Sequence, residues 1–191
     1  MIRIYAAENY DEMSEKAARI IVAQVIMKPE CVLGLATGSS PVGTYQRLVE
    51  RYKAGKISFA GVTTVNLDEY KGLSGSHDQS YRYFMQHNLF DHVDVRPERT
   101  HVPNGLAEDA EAECARYDAF VRSLGCADLQ LLGVGVIMGA KKIVMVASGV
   151  DKADAVYGMV KGPVTPGLPA SILQLHPDVT LVADKAALSK L

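Results

Sequence analysis

The sequence predicts an α/β fold in which a parallel sheet carries helices on both faces, a Rossmann-like three-layer architecture. Strand-like and helical segments alternate along most of the chain, which is typical of parallel sheets. The strand-like segments, such as VTTVNL and IVMVA, are almost continuously apolar, as expected for strands buried on both faces. A length of 191 residues suits one domain with a sizeable core, so we assign residues 1–191 to a single α/β domain.

The first half of the chain contains three strand–helix pairs. Asn9 and Glu12 fit a capping box at the start of the first helix, and Pro29 ends it. Ser40 is predicted to cap the second helix, with Pro41 at its first position. In chain order we predict strand 2–5, the helix after Asn9, strand 31–35, helix 41–53, strand 62–67 and helix 79–90.

The second half continues the alternation with one exception. We predict helix 108–124, strand 129–134, strand 143–147, helix 152–160, short helix 169–175 and strand 179–183. Only the eight residues GVIMGAKK connect strands 129–134 and 143–147. A parallel connection usually needs at least ~10–12 residues and a helix, and the stretch lacks a two-residue hairpin turn. We therefore predict that the domain is interrupted by a missing segment near residues 135–136.

Composition argues for a small-molecule partner or another copy of the chain, and thus for a monomer or a homo-oligomer. The net charge of −2 gives no indication of nucleic acid or of a membrane surface. Cys31, Cys114 and Cys126 form no close-spaced pattern, so reduced thiols are expected. The N-terminus does not read as a signal peptide, and no apolar run approaches the ~20 residues that span a bilayer. These observations favour the cytoplasm.

The turn in LGLATGSSPVGTY is a candidate phosphate site. Gly38, Ser39 and Ser40 are small enough for backbone N–H groups to approach an anion, and a helix N-terminus follows. The hydroxyl groups of Thr37, Ser39 and Ser40 add donors. A glycine–serine turn that merely caps a helix has the same pattern, so both interpretations stay open at this point.

A candidate catalytic carboxylate follows the strand VTTVNL. Asp68 stands at the end of this strand, where a carboxylate beside two adjacent sugar carbons could move a proton between them. The alternative is that Asp68 caps the next turn and that Glu69 is solvated. The five histidines show no metal-ligand spacing, so no metal site is predicted.

Three stretches of the chain closely resemble the glucosamine-6-phosphate deaminase family. They are LGLATGSSPVGTYQRLVERYKAGKISF, NLDEYKGLSGSHDQSYRYFMQHNLFDHVD and GPVTPGLPASILQLHPDVTLVAD. The LDEY-GL block and the SY-FM helix after it are specific to this family. Related sugar-phosphate enzymes such as 6-phosphogluconolactonase share a similar fold without that block.

The resemblance implies an enzyme that converts glucosamine 6-phosphate and water to fructose 6-phosphate and ammonia without a metal or organic cofactor. By motif, Asp68 matches the enolisation base of the family, and residues 37–40 match its phosphate loop. Lys152 matches a lysine that contacts the phosphate. Glu69 and Tyr70, in the same block as Asp68, are expected to support it.

The chain departs from the family pattern where the crossover is short. In the family, a glycine-rich loop with a ring-opening histidine and acidic partners follows this strand, and a lid with a phosphate-binding arginine comes next. Here LLGVG runs directly into VIMGAKK, so these residues have no counterpart. The natural molecule could carry residues that this sequence omits, the gene could have a deletion, or the segment could have been removed by design. An inactive sugar-phosphate-binding relic and a 6-phosphogluconolactonase-type hydrolase are the alternative functions.

Overall fold

The computed structural model describes residues 2–132 and 138–191, and it confirms the predicted α/β class. Seven strands form one sheet in the order β1-β7-β6-β5-β2-β3-β4, and every neighbouring pair is parallel. The elements are β1 (Arg3–Ala7), α1 (Tyr10–Met27), β2 (Val32–Leu35), α2 (Val42–Lys53), β3 (Thr63–Asn66), α3 (Tyr81–Asn88), β4 (Thr100–His101), α4 (Ala110–Ser123), β5 (Leu129–Leu132), β6 (Ile143–Ala147), α5 (Ala153–Lys161) and β7 (Val179–Asp184). Short 3-10 segments cover Phe90–His92, Pro97–Arg99, Val150–Lys152 and Pro169–Leu175.

Alternate residues of the strands supply two cores, one on each face of the sheet. On one face, Leu33 and Leu35 of β2 pack with side chains of α1 and α2. On the other face, Val32 and Val65 belong to a cluster with side chains of α4 and α5. No described helix combines the length and hydropathy that crossing a bilayer requires.

Local sequence signals explain where most helices begin. Asn9 caps α1 as predicted, since its Oδ1 accepts the N–H of Glu12 at 3.0 Å. Ser80 caps α3 and Asp109 caps α4, so both helices begin two residues later than predicted. The two-residue strand β4 was not predicted at all.

The predicted cap of α2 was wrong. The helix begins at Val42 with Pro41 at the N-cap position, and no side chain at that position accepts a hydrogen bond. The N–H of Gly43, which Ser40 was expected to accept, instead donates to the hydroxyl of Tyr10 at 2.7 Å. A residue 33 positions away in sequence therefore satisfies the first turn of the helix.

Strands β5 and β6 are parallel neighbours, with Gln130 opposite Ile143 and Leu131 opposite Val144. This pairing excludes the antiparallel hairpin. The end of the predicted strand 129–134 and the predicted interruption near residues 135–136 lie outside the described residues.

The carboxylate of Asp128 joins the ends of β2, β5 and β6 at the edge opposite the strands' carboxyl ends. It accepts from Nζ of Lys28 at 2.7 Å, Nζ of Lys141 at 2.7 Å and the N–H of Val32 at 2.9 Å. Burial alone would raise the pKa of this carboxyl, but the hydrogen bonds outweigh burial and lower the pKa to about 2. Asp128 thus fixes the start of three central strands.

Candidate active site

Three stretches singled out in the sequence follow neighbouring or nearby parallel strands. The 37–40 turn follows β2, Asp68 follows β3, and Lys152 follows β6. Since the carboxyl ends of parallel strands meet at one edge of a sheet, the fold places all three at the edge where ligands bind in open α/β sheets.

The 37–40 turn has a fixed backbone. Gly38 has a φ of +91°, a conformation that favours glycine. Directly before the turn, the hydroxyl of Tyr45 donates to the carbonyl of Ala36 at 2.6 Å and accepts the N–H of Ala36 at 3.1 Å. Tyr45 is fully buried, and burial raises the pKa of its hydroxyl. The turn therefore starts from a backbone anchored in the core.

Ser148, which the sequence analysis did not single out, lies against this turn. It lines a cavity of about 450 Å³ together with Ser39, Ser40, Tyr10 and Val42. The sequence feature that could have identified Ser148 is a Ser-Gly pair directly after a buried strand. The fold thus brings the end of β6 to the end of β2.

The buried carboxylate of Asp184, at the end of β7, organises the Ser148 turn. It accepts from the hydroxyl of Ser148, from the N–H of Gly149 at 3.1 Å and from the N–H of Ala187 at 2.8 Å. Burial opposes ionisation, yet these donors lower the pKa of Asp184 below its ordinary value. A charged carboxylate is thereby held directly behind Ser148.

Lys152 stands immediately before α5 at the same edge. Its Nζ lies 2.7 Å from Oδ2 of Asp151, and 44% of its side chain is exposed. The hydrogen bond from Lys152 lowers the pKa of Asp151. The structure places Lys152 at the expected edge, but its ammonium group is paired with Asp151 and makes no described contact with the 37–40 turn.

Asp68 lines a cavity of about 220 Å³ between the loop after β3 and α4. Its carboxylate accepts no hydrogen bond in the described part of the chain. Partial burial raises the pKa of Asp68, and the negative charge of Glu69 raises it further. A carboxylate with a raised pKa is a stronger base, which suits the removal of a proton from carbon.

Glu69 supplements the Ser80 cap at the first turn of α3 and is not simply solvated. Its carboxylate accepts the N–H groups of Tyr70 at 2.8 Å, Tyr81 at 2.8 Å and Arg82 at 3.0 Å. Negative charge at a helix N-terminus is favourable. Because Glu69 is the next residue in the chain, this capping also fixes the backbone that carries Asp68.

Tyr81, the first residue of α3, is influenced by both Asp68 and Thr37 and was not predicted as a site residue. The rings of Tyr70 and Tyr81 lie with centroids 4.8 Å apart. The Tyr70 hydroxyl, burial and the charge of Asp68 raise the pKa of Tyr81 to about 12, although a hydrogen bond with Thr37 opposes this shift. The hydroxyl of Tyr81 is thus influenced by the negative charge of Asp68 on one side and by Thr37 of the turn on the other.

Residues 2–132 and 138–191 contain no group of three or more His, Cys, Asp or Glu side chains that could hold a metal ion. No histidine is among the described residues that line the Asp68 cavity. His176 is buried and bonds through Nε2 to the carbonyl of Ala140 at 2.8 Å.

Comparison with known proteins gives consistent results. A model of the family described as glucosamine-6-phosphate isomerases/6-phosphogluconolactonase matches residues 6–136. The glucosamine-6-phosphate deaminase of Lachnoclostridium phytofermentans is 44% identical over 232 aligned positions, which cover 95% of this chain and 98% of that protein. The deaminase of Clostridioides difficile is 42% identical over 241 positions, covering 100% and 97%. These alignments are longer than the 191-residue chain, so the relatives carry residues without a counterpart here.

Solved structures show the same fold. A monomeric glucosamine-6-phosphate deaminase superposes with a TM-score of 0.96 at 36% identity and covers 100% of both chains. The 6-phosphogluconolactonase of Trypanosoma brucei superposes with a TM-score of 0.83 at 16% identity, which shows a shared fold alone.

Proposed function

Since the chain belongs to the family of glucosamine-6-phosphate isomerases and 6-phosphogluconolactonases, we propose that it is a glucosamine-6-phosphate deaminase. The reaction takes glucosamine 6-phosphate and water to fructose 6-phosphate and ammonia, and so combines an aldose–ketose isomerisation with hydrolysis of an amine. It belongs to amino-sugar catabolism in the cytoplasm. The observation that carries the proposal is Asp68, a carboxylate with a raised pKa that lines a cavity at the same edge of the sheet as the 37–40 turn.

The phosphate is bound by the 37–40 turn in this mechanism. Backbone N–H groups of the turn, directly before α2, and its hydroxyl groups donate to the phosphate oxygens. The ammonium group of Lys152 leaves Asp151 and pairs with the phosphate, which is an acceptor of greater charge. Binding at this end of the sugar orients the chain of carbon atoms toward Asp68.

Asp68 then acts on the open-chain sugar. Its carboxylate removes the proton from C2, and the C–H electron pair forms the C1–C2 double bond of an enol-type intermediate. The π pair of the C1 carbonyl moves at the same time to its oxygen, which takes up a proton from water. Return of a proton to C1 leaves an imine at C2. Water adds to this imine, and the amine leaves as ammonia. Glu69 and Tyr70 hold the base in place, Glu69 through α3 and Tyr70 through its ring contact with Tyr81.

A second candidate is supported by the sequence between β5 and β6. The residues GVGVI stand where the family resemblance implies a ring-opening histidine and a lid, and the aligned deaminases are longer than this chain. A chain of this sequence would bind glucosamine 6-phosphate without turning it over. The intact mass separates the cases, because a mass well above 20.6 kDa means that the natural molecule contains the missing segment.

The test measures release of fructose 6-phosphate and ammonia by the native protein and by Asp68→Asn. We expect loss of at least ~100-fold in turnover for Asp68→Asn, as for other general bases. Asp118→Asn is the matched control, because Asp118 lines the same cavity and is remote from the 37–40 turn in sequence. Undiminished turnover in Asp68→Asn would exclude the assigned role, while tight binding without turnover in the native protein would favour the second candidate.

A further inference from the structure

The N-terminus of α2 is capped by a residue of another helix. At most helix starts a serine or a similar side chain at the N-cap accepts an N–H of the first turn. Here that position is Pro41, and the N–H of Gly43 donates to the Tyr10 hydroxyl at 2.7 Å. The same hydroxyl donates to the carbonyl of Ser39 at 3.0 Å. One phenol group thus holds both the helix and the turn before it.

This arrangement leaves the hydroxyl groups of Ser39 and Ser40 without a role in capping α2. In the described contacts, neither the hydroxyl of Ser39 nor that of Ser40 forms a hydrogen bond. A serine that capped α2 would have its oxygen fixed against the helix N–H groups. Because Tyr10 supplies the acceptor, both hydroxyl groups can turn toward the cavity that they line and donate to an anion.

The position of Tyr10 is itself fixed by the packing of α1 against α2. Tyr10 is the first residue of α1, next to the N-cap Asn9. The helices approach closely at Gly43, where a Cβ atom would lie 2.4 Å from Oγ of Ser14 and 2.8 Å from Cε1 of Tyr10. Only glycine allows this approach. Glycine at position 43 is therefore required for the hydroxyl of Tyr10 to reach the N–H of residue 43.

We propose that Tyr10 is a positioning residue for phosphate recognition: it caps α2 in place of a serine and so keeps the Ser39 and Ser40 hydroxyls available to the phosphate of the substrate. The inference rests on the proposed function, because it assumes that a phosphosugar binds at the 37–40 turn. Tyr10 itself does not touch the reacting carbons. Its removal is expected to weaken binding of the phosphate and to leave recognition of the sugar unchanged.

The experiment is calorimetric titration of the native protein, Tyr10→Phe and Tyr5→Phe with glucosamine 6-phosphate, inorganic phosphate and glucosamine. Tyr5 is exposed on β1 and its hydroxyl has no described hydrogen bond, which makes Tyr5→Phe the matched control. For Tyr10→Phe we expect five- to tenfold weaker binding of both phosphate ligands, roughly 1–1.4 kcal/mol, with glucosamine unchanged. Equal phosphate affinity in Tyr10→Phe and native protein overturns the inference.

The outcomes separate the inference from the proposed function. If the native protein binds neither glucosamine 6-phosphate nor inorganic phosphate, the proposed phosphosugar site fails and the inference fails with it. If native protein binds both and Tyr10→Phe binds them equally well, only the role of Tyr10 is lost. A uniform loss that includes glucosamine indicates general damage to the fold and also overturns the inference.

A second variant tests the same idea in case Tyr10→Phe does not fold. If Tyr10 caps α2, Ser40→Ala removes only a phosphate donor, so the urea midpoint is unchanged while phosphate binding weakens. A lower midpoint would show that Ser40 caps the helix after all, which overturns the inference.

Discussion

Replacing Asp128 by Asn tests how strongly one buried carboxylate holds the central strands together. Its side chain is 6% exposed and is hydrogen-bonded to Lys28, Lys141 and the backbone of Val32. Folding lowers the pKa of this carboxyl from its ordinary 3.8 to about 2. By linkage, that shift corresponds to about 2 kcal/mol of stability at neutral pH. Asn keeps an acceptor for Val32 and leaves two solvent-accessible lysines, so most of this amount should be lost.

The pH dependence has a definite sign. Because the native-state pKa lies below the unfolded one, the contribution of Asp128 is fully present above the unfolded pKa and is lost as the pH falls through the folded pKa. We expect urea unfolding at pH 7 to show Asp128→Asn about 2 kcal/mol less stable than native protein. At pH 3 the difference should shrink to roughly half.

Asp118→Asn is the control for the Asp128 experiment. Asp118 and Arg122 are 3.8 Å apart and both are highly exposed, so the change should stay within ~0.5 kcal/mol at both pH values. A difference between Asp128→Asn and native protein that is equally small at pH 7, or that does not depend on pH, would refute the reasoning.

Two further substitutions test the loop that carries Asp68. Glu69→Gln keeps the shape but removes the charge at the N-terminus of α3, and we expect about 1 kcal/mol of stability and part of the turnover to be lost, measured by urea unfolding and product release. Gly105→Ala places a Cβ 2.5 Å from the carbonyl oxygen of Tyr70 and 2.7 Å from that of Leu73. It should cost about 1–3 kcal/mol, whereas Gly167→Ala, with its nearest atom at 3.7 Å, should cost much less. Equal unfolding midpoints for the two alanine variants would contradict the predicted clash.

The fold was largely predictable because its signals are local. Apolar runs identified six of the strands, and Asn9 correctly marked the start of α1. Strand β4 escaped prediction because two residues cannot show a periodicity. The cap of α2 was misassigned because the competing acceptor, Tyr10, comes from another helix, and the sequence near Ser40 carries no trace of it.

The candidate site was predictable only where its residues stand in one motif. The LDEY block identified Asp68 and Glu69. It could not predict that the carboxylate of Glu69 accepts hydrogen bonds from three backbone N–H groups. Asp184 and Ser148 meet although 36 residues separate them. Such contacts depend on strand order, which no local pattern determines.

The order of the strands also bears on how the protein assembles during synthesis. Of the seven described strands, β1 is synthesised first, but its only described neighbour in the sheet is β7, which is synthesised after the other six. Until then Ile4 and Tyr5, which stay 41% and 50% exposed even in the finished molecule, belong to a strand without a sheet. The nascent chain can thus form α1, α2 and β2–β4 before β7 is available to pair with β1. Loss of the last strand would release the first one as well.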